Sequence, residues 1–273
     1  MSYETIQQAV STIREKAPLT PEIAIVLGSG LGPLADEIAD AVVIPYGEVP
    51  GFPVSTAPGH EGKLILGKLA GRSVLAYKGR VHYYEGYPMS QVIFPVQAGY
   101  FLGAKSFIVT SAAGGLNPNF SAGDFMMHND FINFMGDNPM IGPNDERLGP
   151  RFPVTFDAYD AGLQEVARSV ARRQDVLLRE GVYLAISGPS YASRSELRMF
   201  RYGMYADAIG MSTVPEVIAL RHLGARVLGL STITDMALAD SRHHANEQEV
   251  LRMAAKRGPV FRKLVRQIVA EMD

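Results

Sequence analysis

Short apolar runs alternate with amphipathic stretches along most of this chain. Several of the runs are apolar at nearly every position, as expected for strands that are covered on both faces. The pattern predicts strands over residues 22–27, 73–77, 105–110, 182–187, 206–210 and 226–231. It predicts helices over residues 3–16, 31–39, 90–103, 157–173, 193–203, 213–223 and 247–270. This alternation predicts an α/β fold: a single domain over residues 1–273, with a central twisted, mixed β-sheet flanked by helices.

Local signals refine three of the predicted helices. Ser193 with Glu196, and Asn246 with Glu249, have the spacing of a capping box at a helix N-terminus. Pro95 lies inside the third predicted helix. Because proline cannot donate the backbone hydrogen bond of a helix interior, we expect it to kink that helix.

Composition narrows the possible classes of function. The chain has 273 residues, a formal net charge of −2 and no block of like charge, so nucleic acid is not expected as a main partner. Cysteine is absent, which excludes disulfides and thiolate metal sites. The N-terminal segment MSYETIQQAV lacks the basic start and apolar core of a signal peptide. No apolar run approaches the ~20 residues of a membrane span. We therefore expect a soluble, cytoplasmic protein with no membrane partner.

A glycine-rich loop follows the first predicted strand, in the stretch EIAIVLGSGLG. Glycines let a backbone approach a ligand closely, and a following helix would add a positive dipole end, so the loop predicts an anion site, most often for phosphate. Gly28 and Gly30 fit a dinucleotide-binding fingerprint, but its sixth place is Pro33. No Gly-Lys-Ser/Thr of a P-loop follows either. A purely structural turn is the alternative.

The strand predicted over residues 73–77 is followed by Arg80 and His82 in the segment GRVHYYEG. Residues two apart in an extended segment point the same way. A guanidinium and an imidazole on one side of the chain favour a tetrahedral anion. The alternative is a surface arginine and a hydrogen-bonded histidine.

Three further strand ends carry candidate chemistry. Small residues in TSAAGG could turn backbone N–H groups, including that of Ala112, towards a ligand, or could simply form a packing turn. Ser212 has the place of an N-cap with Pro215 in the first turn, and a capping hydroxyl can also face an anion. Asp235 emerges from an apolar strand, where partial desolvation would raise its pKa so that it could donate a proton near neutral pH. A capping or salt-bridged aspartate is the alternative.

Two polar stretches remain. Residues 136–153 form a long loop rich in Gly, Pro and Asp, and such loops in compact domains tend to be functional. His243 and His244 have no metal-ligand spacing, so we interpret the pair as solvated.

The shared position of these sequence features is more informative about function than any single feature. Each follows a predicted strand, and the ends of strands in a parallel-type sheet meet at one edge. A Ser-Gly loop, an Arg/His pair, a small-residue loop and a serine at a helix start could together surround one phosphate.

These segments resemble the trimeric purine nucleoside phosphorylases. GSGLG, GRVHYYEGY, SAAGGLNP, GPNDERLGPRFP, GMSTVPEV and ITD occur in the order and near the spacing of that family, from about residue 20 to 270. The resemblance implies a nucleoside phosphorylase-like fold and a homotrimer in which the neighbouring subunit completes the site. It implies phosphate-dependent cleavage of purine nucleosides to free base and ribose 1-phosphate. It also implies no metal and no organic cofactor, with inorganic phosphate as co-substrate.

The resemblance also implies roles for individual residues. Asp235 and His82 would be the catalytic residues. The phosphate would be bound by Ser29, Arg80, His82, the backbone of Ala112, and Ser212. The ribose would contact Tyr84, Met211 and Glu247, and the purine would contact Tyr191, Ala192, Ile209 and Asp235. His60, in the segment PGHEG, would belong to a flexible lid near the phosphate.

Departures from the family pattern bear on the choice of base. Members that cleave guanosine and inosine carry a Glu at the place of Ala192 and an Asn at the place of Asp235. A carboxylate can accept from a 6-amino group but would repel a 6-oxo oxygen. The segment SYASRSELRMFR and the Thr-Asp pair are more similar to methylthioadenosine phosphorylase, a sister branch. We therefore expect a preference for adenosine-type substrates.

Two further departures concern the ribose and the long loop. Glu247 stands where guanosine/inosine enzymes carry a His near the 5′-hydroxyl; a carboxylate would accept from a 5′-OH but is poorly matched to a 5′-methylthio group. Leu148 replaces an aromatic residue that reaches the neighbouring subunit's site. The alternatives to an adenosine-preferring enzyme are a methylthioadenosine phosphorylase, a guanosine/inosine phosphorylase, and a protein that binds nucleoside or phosphate without turnover.

Overall fold

The computed structural model describes residues 2–57, 59–243 and 246–273. Within them, nine strands form one sheet in the order β2-β3-β4-β1-β5-β8-β7-β6-β9, with an additional pairing of β5 with β9. The strands are β1 Ile23–Leu27, β2 Ala39–Pro45, β3 Lys63–Leu69, β4 Arg72–Lys78, β5 Ser106–Gly115, β6 Phe125–Phe134, β7 Leu178–Ile186, β8 Ala208–Gly210 and β9 Arg226–Met236. Both parallel pairs, such as β1 with β5, and antiparallel pairs, such as β3 with β4, occur. The prediction of an α/β fold with a mixed sheet is confirmed.

The helices flank this sheet. They are α1 Tyr3–Lys16, α2 Met89–Val92, α3 Phe94–Leu102, α4 Ala161–Arg173, α5 Arg194–Arg198, α6 Val214–His222 and α7 Glu247–Glu271. The capping boxes predicted at Ser193 and Asn246 both form. None of the helices described is long and apolar enough to span a bilayer.

Three helix predictions differ from the structure. The helix predicted after the glycine loop is a short 3-10 helix, Gly32–Glu37, so the expected α-helix dipole is missing there. The helix predicted over 90–103 is divided into α2 and α3, because Pro95 lies in the first turn of α3, where no N–H is needed. The helix predicted over 193–203 ends as a π-helical turn, Met199–Gly203.

Three strands have no counterpart in the sequence prediction: β2, β3 and β6. In β2, only Ile44 is buried, because β2 lies at the sheet edge and pairs only with β3. In β6, the polar residues His128, Asn129 and Asp130 interrupt the apolar pattern, and a register shift occurs at this point. Period-2 and all-apolar patterns are both weak in such strands.

The core lies on both faces of the sheet, as the apolar runs predict. On β1, Ala24 and Val26 pack into a cluster with α1, α3 and α6. Ile23, Ile25 and Leu27 face the opposite side and pack with α4 and α7. This two-sided burial fixes β1, and therefore the glycine loop that follows it, at the centre of the sheet.

Candidate active site

A cavity of about 410 Å³ opens where β1, β5, β8 and β9 end. All of the site residues predicted from the sequence line it. They are Ser29, His60, Arg80, His82, Tyr84, Ala112, Tyr191, Ala192, Ile209, Met211, Ser212, Asp235 and Glu247. Residues that are far apart in the sequence are therefore brought to one place, although their individual roles remain predictions.

The glycine loop packs closely against β5 and α7 and also faces the cavity. The Gly28 N–H donates to Thr110 Oγ1 at 2.9 Å, and a Cβ at Gly28 would lie 2.5 Å from the Thr110 carbonyl oxygen. Gly30 has φ of +85°, and a Cβ there would lie 2.6 Å from the Ala254 carbonyl oxygen. The loop is thus both a structural turn and a ligand-facing loop. Gly28 and Gly30 pack tightly, and Ser29 between them lines the cavity.

Arg80 is buried and not on the surface, with 5% of its area exposed. Its Nη1 donates to Ser212 Oγ at 2.9 Å and to Thr213 Oγ1 at 3.2 Å. Its Nε lies 3.3 Å from Glu216 Oε1. Burial raises the pKa of Glu216 despite the opposing effects of Arg80 and of the Thr213 N–H. The guanidinium is therefore fixed at the start of α6 beside a carboxyl group whose charged form is disfavoured.

Ser212 is not the N-cap that the sequence predicts. The N-cap of α6 is Thr213, in a left-handed conformation with φ of +72°, and Pro215 lies in the first turn as expected. This conformation moves Ser212 one residue outside the helix, where its hydroxyl accepts from Arg80. Ser212 consequently lines the cavity together with Arg80.

His82 is positioned by Glu85. The Glu85 carboxylate accepts from the His82 N–H at 2.7 Å and lies 3.1 Å from His82 Nδ1. Burial alone would raise the pKa of Glu85, but hydrogen bonds from His82 and Thr56 outweigh it and lower that pKa to about 2. Since an ionised carboxylate only accepts, His82 Nδ1 must be the donor. Burial lowers the pKa of His82, so the neutral ring presents its Nε2 lone pair.

The loop that carries His60 is tied to the same segment. Thr56 donates to Glu85 through its N–H at 2.7 Å and its hydroxyl at 2.6 Å. His60 Nδ1 accepts from the Arg80 N–H at 3.1 Å, and the His60 and His82 ring centroids are 5.0 Å apart. Burial, and then repulsion by His82 and Arg80, lowers the pKa of His60 to about 3. A neutral His60 therefore keeps its proton on Nε2.

Carboxylates surround another part of the cavity. Burial raises the pKa of Tyr191, and the charges of Asp235 and Glu247 raise it further. Thr234 Oγ1 donates to Asp235 Oδ1 at 3.0 Å. Burial raises the pKa of Tyr84 to about 12, with contributions from Glu85 and then Glu247 and an opposing one from Arg80. The Arg80 guanidinium and the Glu247 carboxylate thus both act on Tyr84, and Glu247 and Asp235 both act on Tyr191.

Several residues at the site escaped the sequence reasoning. Glu85 positions His82, and Glu216 lies beside Arg80. In the sequence, neither could be distinguished from an ordinary acidic residue. An apolar wall of the cavity comes from α5, α7 and the end of β9: Leu197, Ala237, Val250 and Leu251. Leu197 is buried and Leu251 is partly buried, and helical periodicity does not separate a cavity wall from a core.

Among the described residues, no group of three or more His, Asp or Glu side chains is arranged to hold a metal ion. His243 is exposed and pairs with Glu249 at 3.0 Å. His244, the other member of the histidine pair, lies outside the described residues.

The sequence and the fold place the chain among known proteins. Residues 22–270 match the Phosphorylase superfamily. Purine nucleoside phosphorylase 1 of Geobacillus stearothermophilus is 48% identical over 272 residues, covering 100% of this chain and 99% of that protein. This chain belongs to the purine nucleoside phosphorylase family. The assignment made from the motifs is confirmed, and the phosphorylase is a pentosyltransferase.

The fold of the phosphorylase agrees with solved structures of the family. Crystal structures of Schistosoma mansoni purine nucleoside phosphorylase in complex with adenosine and with inosine each give a TM-score of 0.95. They are 38% and 36% identical to the phosphorylase, and each alignment covers 100% of this chain and 98% of the other. The predicted nucleoside phosphorylase-like fold is therefore confirmed over the whole chain.

Proposed function

We propose that this phosphorylase cleaves purine ribonucleosides with inorganic phosphate, giving free base and ribose 1-phosphate, and that it favours adenosine. The main observation behind the proposal is the uneven distribution of charged groups in one cavity. Arg80 and hydroxyl donors line one part of it, whereas the carboxyl groups of Asp235 and Glu247 line another. A dianion and a base that carries an amino group would be complementary to these two regions.

The phosphate would occupy the region around Arg80. Ser29, Ser212 and the backbone of Ala112 would supply further donors, and His82 would complete the set. Because Nδ1 of His82 is committed to Glu85, its Nε2 lone pair could accept the proton of a hydrogen phosphate. His60 would close this region as part of a lid, with Nε2–H as its remaining donor.

The nucleoside would lie between the two regions. Tyr84, Met211 and Glu247 would contact the ribose, and Tyr191, Ala192, Ile209 and Asp235 would contact the purine. As the glycosidic bond breaks, its electron pair moves onto the purine, and Asp235, when protonated, would donate a proton or hydrogen bond to N7. A phosphate oxygen then forms a bond to the anomeric carbon. Charge stabilisation by preorganised groups of this kind contributes several kcal/mol in enzymes.

The adenosine preference rests on two side chains. Asp235 can accept from a 6-amino group, whereas its lone pairs would repel a 6-oxo oxygen. Ala192 offers no acceptor for the N1–H of a 6-oxopurine. The related Schistosoma mansoni protein has been crystallised with both adenosine and inosine. The preference of this phosphorylase is thus inferred from its own residues.

We also infer a homotrimer in the cytoplasm, acting without a metal or organic cofactor. The segment between β6 and α4 supports assembly, since it exposes a set of large apolar side chains. They are Ile141, Phe152, Val154 and Phe156, each 74% exposed or more. A subunit interface would bury these exposed side chains. Leu148 packs against the core of its own chain, so we assign it no contact with a neighbouring subunit's site.

A phosphorolysis panel tests the proposal. Adenosine, inosine, guanosine and methylthioadenosine are compared by kcat/KM, with and without inorganic phosphate. The expected result is phosphate-dependent release of base, fastest from adenosine. Inosine or guanosine cleaved faster than adenosine would refute the preference, and methylthioadenosine cleaved fastest would support the sister activity. Base binding without release would indicate a binding protein.

A further inference from the structure

A buried polar chain runs from the cavity wall into the core. Ser111 lines the cavity, and its Oγ lies 2.6 Å from Ser231 Oγ. Ser231 Oγ lies 2.7 Å from His128 Nε2, and His128 Nδ1 lies 3.1 Å from the Tyr159 hydroxyl. At most 5% of any of these side chains is exposed. Four linked polar groups at such depth have to satisfy one another.

The proton positions in this chain can be worked out from its far end. Burial, with a smaller contribution from Arg80, lowers the pKa of His128 to about 3, so the ring is neutral and carries one N–H. Among the described residues, the Tyr159 hydroxyl has His128 Nδ1 as its hydrogen-bond partner. A buried hydroxyl proton without an acceptor is unfavourable, so Tyr159 donates to Nδ1. The N–H of His128 is then on Nε2.

The direction of the remaining hydrogen bonds follows. His128 Nε2–H donates to Ser231 Oγ, so the Ser231 proton is donated to Ser111 Oγ. The Ser111 proton is left over, and Ser111 is the member of the chain that lines the cavity. If all of these hydrogen bonds were reversed, Ser111 would donate to Ser231, and the Tyr159 hydroxyl proton would have no acceptor in the core. The arrangement therefore favours Ser111 as a donor towards the cavity.

We propose that Tyr159, His128 and Ser231 are positioning residues that orient the Ser111 hydroxyl as an additional donor to the phosphate. Ser111 precedes Ala112, whose backbone lies in the proposed phosphate site, so the inference rests on that site. Packing keeps the imidazole in place: His128 stacks on Tyr183 at 4.7 Å between centroids, and a Cβ at Gly229 would lie 2.5 Å from His128 Nδ1. The Gln164 side chain donates to the His128 carbonyl at 3.0 Å.

The test is a double-mutant cycle on the KM for phosphate. Ser111→Ala should raise that KM about tenfold, because it removes a hydrogen bond to a charged group. Tyr159→Phe removes one distant oxygen atom and should raise the same KM several-fold. In the Ser111→Ala background, Tyr159→Phe should have no further effect, since its influence passes through Ser111. The KM for adenosine should change little in each variant, and Ser111→Thr, which keeps the hydroxyl, should raise the phosphate KM less than Ser111→Ala does.

The outcomes are distinguishable. An unchanged phosphate KM in Tyr159→Phe, or an equal rise with and without Ser111, would overturn the inference while leaving the phosphorylase activity intact. If wild type releases base without phosphate, the proposed function itself fails. Should Tyr159→Phe not fold, Ser231→Ala takes its place in the cycle with the same expectation.

Discussion

Arg80 Nη1 donates to Ser212 Oγ at 2.9 Å, joining the segment after β4 to the residue before the N-cap of α6. The same nitrogen donates to Thr213 Oγ1 at 3.2 Å, but Thr213 does not line the main cavity. The two hydroxyls thus accept from one guanidinium nitrogen and lie 3.2 Å apart, and Ser212 is the one of the two that lines the main cavity.

This pair gives a matched test of the phosphate site. Ser212→Ala should raise the phosphate KM about tenfold, because it removes a ligand donor as well as an Arg80 acceptor. Thr213→Val is the control: it keeps the β-branched shape at the positive φ and removes the second Arg80 acceptor together with the 3.2 Å contact to Ser212 Oγ, but no donor that lines the main cavity. Steady-state kinetics at varied phosphate would measure both. Equal effects of the two substitutions would mean that Ser212 acts only through Arg80.

Glu85 connects His82 to the loop that carries His60, through hydrogen bonds to His82 and Thr56. Glu85→Gln should weaken the hydrogen bonds to His82 and to Thr56, because a neutral amide makes weaker hydrogen bonds than a carboxylate. We expect faster amide hydrogen exchange in residues 53–62 and a lower kcat/KM. Thr56→Val removes only the hydroxyl and should accelerate exchange less, with little change in kcat/KM. Unchanged exchange in Glu85→Gln would show that the loop is held by other contacts.

Much of the site could be predicted from the sequence, because several site residues directly follow strands that have simple apolar patterns. Ser29 and Arg80 follow β1 and β4, and such strands can be read without knowing their partners. Glu216 could not be predicted as a partner of Arg80, because its burial beside Arg80 is a tertiary property. The type and spacing of Ser212 predict an N-cap, whereas the left-handed backbone of Thr213 has no sequence signature in a β-branched residue.

The base preference depends on Asp235. Asp235→Asn should shift the ratio of adenosine to inosine kcat/KM towards inosine by about tenfold or more, since an amide can donate to a 6-oxo oxygen. The phosphate KM should stay unchanged, which separates the effect from damage to the site. Measuring both nucleosides in one assay would check the shift. A fall in both rates with an unchanged ratio would show that Asp235 assists the leaving base without distinguishing the 6-position.

Glu247 should distinguish the 5′-substituent of the ribose. It is the first residue of α7 and lines the cavity, and its charge contributes to the raised pKa of Tyr84. Glu247→Leu should lower kcat/KM for adenosine and raise it for methylthioadenosine, because the acceptor for the 5′-hydroxyl is lost. Glu247→Gln is the matched control, since its amide oxygen can still accept. If both substitutions leave the ratio of the two substrates unchanged, Glu247 does not contact the 5′-position.

Buried histidines predict how stability depends on pH. Burial lowers the pKa of His60 and of His128 from 6.5 to about 3 in the folded chain. Between these values the unfolded chain binds protons that the folded chain does not, so stability is full above pH 6.5 and is lost as the pH falls towards 3. Below 4.5, Glu85 adds to the loss, since its folded pKa is about 2.

The contribution of His128 can be measured by unfolding the protein in the absence of phosphate. His128→Gln should be less stable than wild type at pH 7.5, because it disrupts a buried hydrogen-bonded chain. Its free energy of unfolding should nevertheless change less between pH 7.5 and pH 5, since one proton-linked group has been removed. Urea unfolding at both pH values would give the two slopes. Parallel pH dependence in variant and wild type would mean that His128 takes up its proton in the folded chain as readily as in the unfolded one.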